Sequence, residues 1–234
     1  MSDILLELNG VVAGYGDTHV IRNVSLRIPK GERLAIVGRN GVGKTTLLST
    51  IMGQTRQHAG NVKLKGTAID AIAAHQRARL GIGIVPQTRD IFGSLTVEEN
   101  LIAGLRNGST LDDAYNLFPR LKERRSNSGR QLSGGEQQML SIARCLLGKP
   151  EIILLDEPLE GLAPVICEML MEVFHKLADK GHTIVLVEQH VGMALKFAER
   201  VIALDQGKIV FEEEATKLAG NRTELDRYIG LSAQ

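Results

Sequence analysis

Gly38-Arg39-Asn40-Gly41-Val42-Gly43-Lys44-Thr45 is the stretch on which the reading of this chain turns. It has the pattern G-x-x-x-x-G-K-T. A polyphosphate needs many hydrogen-bond donors around it and no side chains in the way. Gly41 and Gly43 let the backbone curl so that successive N–H groups point inward. Lys44 can place an ammonium on β- and γ-phosphates, and the Thr45 hydroxyl can ligate Mg²⁺. Residues 34–37, Leu-Ala-Ile-Val, read as a short buried strand, and residues 45–52 as a helix ended by Gly53. The loop therefore feeds phosphates onto a helix N-terminus, where the dipole and free N–H groups favour anions. A chance glycine-rich turn has no reason to sit between a buried strand and a helix.

Outward from this loop, the first thirty residues alternate in the manner of strands. Leu6, Leu8 and Val11 lead to a turn at Gly14-Tyr15-Gly16, and residues 20–21 and 24–28 follow as strand. A further strand is expected at 61–65, a helix at about 71–79, and a short strand at 82–85 ending at Pro86. From 90 to 147 the character is helical, with a capping-box start at Thr96-Val97-Glu98-Glu99. Strands return at 152–155 and 183–187, each apolar throughout, as strands covered on both faces should be. A helix is expected over 164–180, and a hairpin around Asp205-Gln206-Gly207-Lys208. Apolar strands alternating with helices predict a largely parallel α/β core, with antiparallel strands flanking it and a helical insertion in the middle.

At 234 residues the chain suits one large domain, or one domain with an insertion. A formal net charge of +1 gives no support for a dedicated nucleic-acid binder. No apolar run approaches the roughly 20 residues needed to cross a bilayer. The Met-Ser-Asp-Ile-Leu-Leu-Glu start has no basic region followed by an apolar core, so no secretory signal is expected. Cys145 and Cys167 lack metal-type spacing and fit buried, reduced thiols.

Two more motifs carry chemistry. Residues 152–158, I-I-L-L-D-E-P, form a buried strand ending in two carboxylates. Beside a phosphate loop, Asp156 suits the metal side, and Glu157 can polarise the water that attacks the γ-phosphate. Leu132-Ser133-Gly134-Gly135-Glu136 is a helix start, with Ser133 as N-cap and Glu136 three residues on. Its two glycines also leave bare N–H groups that a second anion can approach closely.

The loop at 38–45, L-S-G-G-E at 132–136 and L-L-D-E-P at 154–158 together resemble the ATP-binding subunit of an ABC transporter, over essentially the whole chain. The resemblance implies one ABC ATPase domain spanning 1–234. Its P-loop NTPase (RecA-like) core and antiparallel β subdomain would occupy about 1–87 and 150–234, and a helical subdomain carrying the signature about 88–149. It implies ATP and Mg²⁺ as ligands, and a head-to-tail dimer in which ATP lies between one subunit's loop and its partner's signature helix. ATP would be held by Gly38, Arg39, Asn40, Gly41, Val42, Gly43, Lys44, Thr45 and Thr46, with Tyr15 stacked on adenine. Ser133, Gly134, Gly135 and Glu136 would complete the partner's site. Thr45, Gln87 and Asp156 would organise Mg²⁺; Glu157, Gln87 and Gln189 would act in hydrolysis.

Two positions depart from the general family pattern. Alignment of Val187-Glu188-Gln189-His190 puts Gln189 where a histidine usually stands, leaving His190 as a helix-start residue. Gln can hydrogen-bond a γ-phosphate but carries no proton at neutral pH. Ala163, in Gly161-Leu162-Ala163-Pro164, stands where many members have Asp. V-E-Q and G-L-A-P resemble the branch serving hydrophobic, branched-chain amino acid uptake, with urea and short-amide importers as the near alternative. A soluble ABC ATPase of DNA repair, translation or iron–sulfur assembly is the more distant one. The branch implies membrane permease subunits, indirectly a solute-binding protein, and a peripheral place on the cytoplasmic face of the inner membrane. Lys122, Arg124, Arg125 and Arg130 read as a solvated helix-and-loop face ahead of the signature, with part of a docking surface for a partner as the alternative.

Overall fold

A computed structural model describes residues 3–106, 108–218, 220 and 223–228. Its frame is a six-stranded sheet in the order β10-β9-β3-β8-β7-β6. The members are β3 (Arg33–Val37), β6 (Ile82–Val85), β7 (Ile152–Asp156), β8 (Thr183–Glu188), β9 (Arg200–Asp205) and β10 (Lys208–Glu214). Strands β6, β7, β8, β3 and β9 run parallel, and β10 closes the edge antiparallel through the expected hairpin.

Side chains alternate across this sheet, and both faces are covered, which explains the unbroken apolar runs. Leu34, Ile36, Ile152, Leu154, Val185 and Val187 face one core. It is roofed by α1 (Lys44–Met52) and by a second sheet. That sheet joins β1 (Ile4–Tyr15), β2 (Thr18–Pro29), β4 (Arg56–Leu64) and β5 (Thr67–Ala68), all antiparallel, in the order β2-β1-β4-β5. On the opposite face, Ile153, Leu155, Ile184 and Leu186 pack under α6 (Gly134–Leu147) and α7 (Pro164–Asp179). Ala35, Val37, Val201 and Ala203 pack under α8 (Val191–Phe197) and α9 (Ala215–Leu218).

The insertion between β6 and β7 is helical, as its sequence predicts: α3 (Val97–Gly104), α4 (Leu111–Leu117), α5 (Pro119–Glu123) and then α6. Thr96, Thr110 and Ser133 each accept the backbone N–H three residues on, while Glu99, Asp113 and Glu136 return a carboxylate to the cap N–H. Each reciprocal pair satisfies two otherwise orphaned donors.

Three boundaries shift from expectation. Strand β4 begins at Arg56, five residues before the expected 61, because its polar first half still pairs with β1 beyond a bulge. The turn after β1 falls at Gly16-Asp17, leaving Tyr15 as the last strand residue, paired with Thr18. The helix expected at about 71–79 is α2 (Ala74–Arg79). Arg77 is 2% exposed and draws the carbonyls of Asp70 and Ile72 to its guanidinium, holding the preceding segment out of the helix. Both thiols are free; Cys167 is buried, but Cys145 only partly so, its sulfur against Gly83.

Candidate active site

The carboxyl ends of four parallel strands supply the chemistry, where open α/β sheets place their ligands. Strand β3 runs into the loop at 38–43, β6 into Gln87, β7 into Asp156 and Glu157, and β8 into Gln189. The polar groups are distant in sequence but meet because their strands are neighbours.

The loop needs its glycines for separate reasons. Gly41 and Gly43 take φ of 79° and 111°, values a side chain resists. A Cβ on Gly38 would lie 2.4 Å from the Leu204 carbonyl oxygen. Gly43 caps α1 with no side-chain acceptor, so the first amides of that helix keep their hydrogens for an outside acceptor. A cavity of about 310 Å³ opens there, lined by Val20, Asn40, Gly41, Gly43, Lys44, Thr45, Thr46, Gln87 and Glu157.

Lys44 Nζ donates to the carbonyls of Gly38 (2.9 Å) and Arg39 (3.1 Å) and pairs with Glu157 Oε1 at 3.1 Å. The other Glu157 oxygen, Oε2, accepts Gln189 Nε2 at 2.6 Å and Gln87 Nε2 at 3.3 Å. Glu157 itself has φ +46° and donates its N–H to Val187 across the sheet. A left-handed non-glycine residue costs about 1–2 kcal/mol, and here it sits at the centre of the polar cluster.

Thr45 Oγ1 donates to Asp156 Oδ1 at 3.2 Å. Burial raises the Asp156 pKa, the Thr45 hydroxyl offsets part of that, and the Glu157 charge adds to the rise. A buried carboxylate beside a hydroxyl and an amide is an all-oxygen donor set, the kind a hard divalent cation takes. These residues fit Mg²⁺. The loop's bare amides and Lys44 fit a polyphosphate.

Not every anticipated residue converges here. Tyr15 is 53% exposed at the end of β1. Ser133, Gly134, Gly135 and Glu136 contribute nothing to the cavity lining. Glu136 is buried, holding the Ser133 N–H at 2.9 Å and accepting Arg120 and Arg124 at 3.0 and 3.3 Å. Burial works against its charge, but these donors outweigh it and hold its pKa below the usual carboxylate range. Arg124 is therefore paired and not simply solvated. Arg89 donates to Gln138 and lies 3.2 Å from where a Gly134 Cβ would be, so the glycine also admits that guanidinium. His190 begins α8 without a side-chain capping bond.

Two further residues carry no motif. Glu160 Oε2 accepts Gln87 Nε2 at 2.6 Å. Arg77 donates to the Thr50 and Ile51 carbonyls at the end of α1. Among the described residues no helix is long and apolar enough to cross a membrane.

Fold and site together define a phosphate-loop nucleotide hydrolase. The sequence profile of the ABC transporter family matches residues 21–160. The branched-chain amino acid transport ATP-binding protein BraG of Pseudomonas aeruginosa is 38% identical over 232 residues, covering 97% of this chain and all of that protein. The probable LivF of Archaeoglobus fulgidus is 39% identical over 88% of this chain and 90% of its own length. The lipopolysaccharide export ATP-binding protein LptB of Escherichia coli is 31% identical over 96% of this chain and 97% of its own length. Among solved structures, a dimeric ATP-binding cassette in a post-hydrolysis state with ADP and Pi superposes with a TM-score of 0.80 at 28% identity, covering 90% of this chain and 99% of that one. The chain belongs to the ABC transporter family, as an ATP-hydrolysing cassette.

Proposed function

We propose that this chain energises an importer for branched-chain, hydrophobic amino acids. The observation that carries this reading is the 38–39% identity, over nearly whole chains, to two branched-chain transport ATP-binding proteins, against 31% for the lipopolysaccharide export cassette. The Val187-Glu188-Gln189 and Gly161-Leu162-Ala163-Pro164 segments support it.

Within that reading, Lys44, Thr46 and the amides of 38–45 hold the phosphates, and Tyr15 stacks on the base. Mg²⁺, held by Thr45, Gln87 and Asp156, would neutralise phosphate charge. Glu157 accepts a proton from the attacking water, and Gln189 and Gln87 orient that carboxylate and its water. Ser133, Gly134, Gly135 and Glu136 complete the site of a second cassette, identical or homologous, in a head-to-tail dimer. A core of about 1–87 and 150–234 and a helical lobe of about 88–149 divide these tasks. The chain works peripherally at the cytoplasmic membrane face with permease subunits and, through them, a solute-binding protein.

The test is deletion of the gene in its host, followed by uptake of labelled leucine, isoleucine and valine. Loss of uptake, restored by the wild-type gene and not by Glu157→Gln, is the expected result. Intact leucine uptake beside lost urea or short-amide uptake would assign the chain to the other branch.

A further inference from the structure

Glu160 stands three residues beyond Glu157, on a turn closed by its own N–H to the Glu157 carbonyl at 3.2 Å. Its Oε2 accepts Gln87 Nε2 at 2.6 Å, while Glu157 Oε2 takes the same nitrogen at 3.3 Å. An amide has one end that donates and one that accepts. With carboxylates from Glu157 and Glu160 on one side, only the NH₂ end can face them, because the carbonyl would set oxygen against oxygen. The Gln87 carbonyl is thereby turned away from both. A divalent cation is met by a carbonyl oxygen and never by an NH₂ group.

We propose that Glu160 is a positioning residue, which fixes the amide orientation of Gln87 so that its carbonyl is the end offered to the metal. Glu157 cannot do this alone. Its Oε1 is taken by Lys44 and its Oε2 by Gln189 at a shorter distance than by Gln87. The inference rests on the reading of Gln87 as a metal-side residue and adds the group that orients it.

The test uses the full chain and the variants Glu160→Ala, Glu160→Gln, Gln87→Ala and the double Glu160→Ala/Gln87→Ala. Steady-state ATPase rates and equilibrium nucleotide binding are measured across a Mg²⁺ titration. Glu160 is exposed, so thermal unfolding should be unchanged. Glu160→Ala should lower turnover about tenfold, the worth of one charge-assisted hydrogen bond partly open to water. It should also raise the Mg²⁺ concentration for half-maximal binding several-fold, with Mg²⁺-free nucleotide affinity unaltered. Glu160→Gln still offers a carbonyl to the Gln87 NH₂ and should recover part of the loss. In the Gln87→Ala background, Glu160→Ala should change turnover less than about twofold, since the group it orients is gone. A silent Glu160→Ala, or one whose full effect persists without Gln87, overturns the proposal while leaving the role of Gln87 intact. A Gln87→Ala variant with wild-type turnover and Mg²⁺ response overturns both.

Discussion

Lys44 Nζ lies 3.1 Å from Glu157 Oε1, with the two side chains only 4% and 6% exposed. The cation proposed to hold phosphate and the carboxylate proposed to act on water are thus direct partners, held out of solvent together. Removing one member of a buried pair strands the other, at about 3–5 kcal/mol.

Glu157→Gln should abolish turnover by about 10²–10⁴-fold while nucleotide still binds, because size and hydrogen-bonding reach persist without the basic oxygen. ATPase rates and equilibrium titration on the same preparation check this. ATPase activity within a few-fold of wild type would remove Glu157 from the role.

Lys44→Ala should both weaken nucleotide binding and destabilise the protein, since Glu157 is left buried without its cation. Lys44→Ala/Glu157→Gln should unfold at a higher temperature than Lys44→Ala alone. Equal melting temperatures for the two would show that Glu157 carries no penalty once its cation is gone.

Gln189→Ala should reduce turnover about 10–100-fold, by deleting a hydrogen bond to a charged carboxylate worth about 1.5–3 kcal/mol. His190→Ala should stay within about twofold of wild type, and its loss should leave the pH–rate profile between pH 6 and 9 unmoved. A crippled His190 variant beside a healthy Gln189 variant would reverse the two assignments.

Glu188 supplies a pH signature of stability. It is 2% exposed, its Oε1 has no hydrogen-bond partner among the described residues, and burial with the nearby Glu157 charge pushes its pKa from 4.5 up to about 7. Between those values the folded state holds a proton that the unfolded chain has released, so stability falls as pH rises from about 4.5 to 7. Glu188→Gln should therefore be more stable than wild type above pH 7, by on the order of 3 kcal/mol, and equal to it below pH 4.5. Denaturant titrations at pH 4.5 and 8 measure the difference, and a pH-independent difference would exclude the charge as its cause.

What was legible in the sequence is what is chemically local. The loop at 38–45 is read from residues whose conformational needs are their own, and the Thr96 and Ser133 caps from partners three residues apart. The Glu160–Gln87 contact spans 73 residues and Arg77–Thr50 spans 27. No local pattern marks such partners, because strand order brings them together: β6 lies beside β7, so the segments beyond their ends are neighbours. The same long reach explains why α2 starts late, since the buried guanidinium of Arg77 takes carbonyls that helical propensity would have used locally. Gln189 was readable by alignment, but its contact with Glu157 required the β7–β8 register.

The cavity at the loop and the Ser133-capped start of α6 share no lining residue. With the sites split between two cassettes as proposed, turnover follows the law of mass action: specific activity falls on dilution as pairs separate. Two dead variants, one lacking Lys44 and the other lacking the Ser133 cap, should regain turnover when mixed, because each mixed pair would contain one unspoiled site.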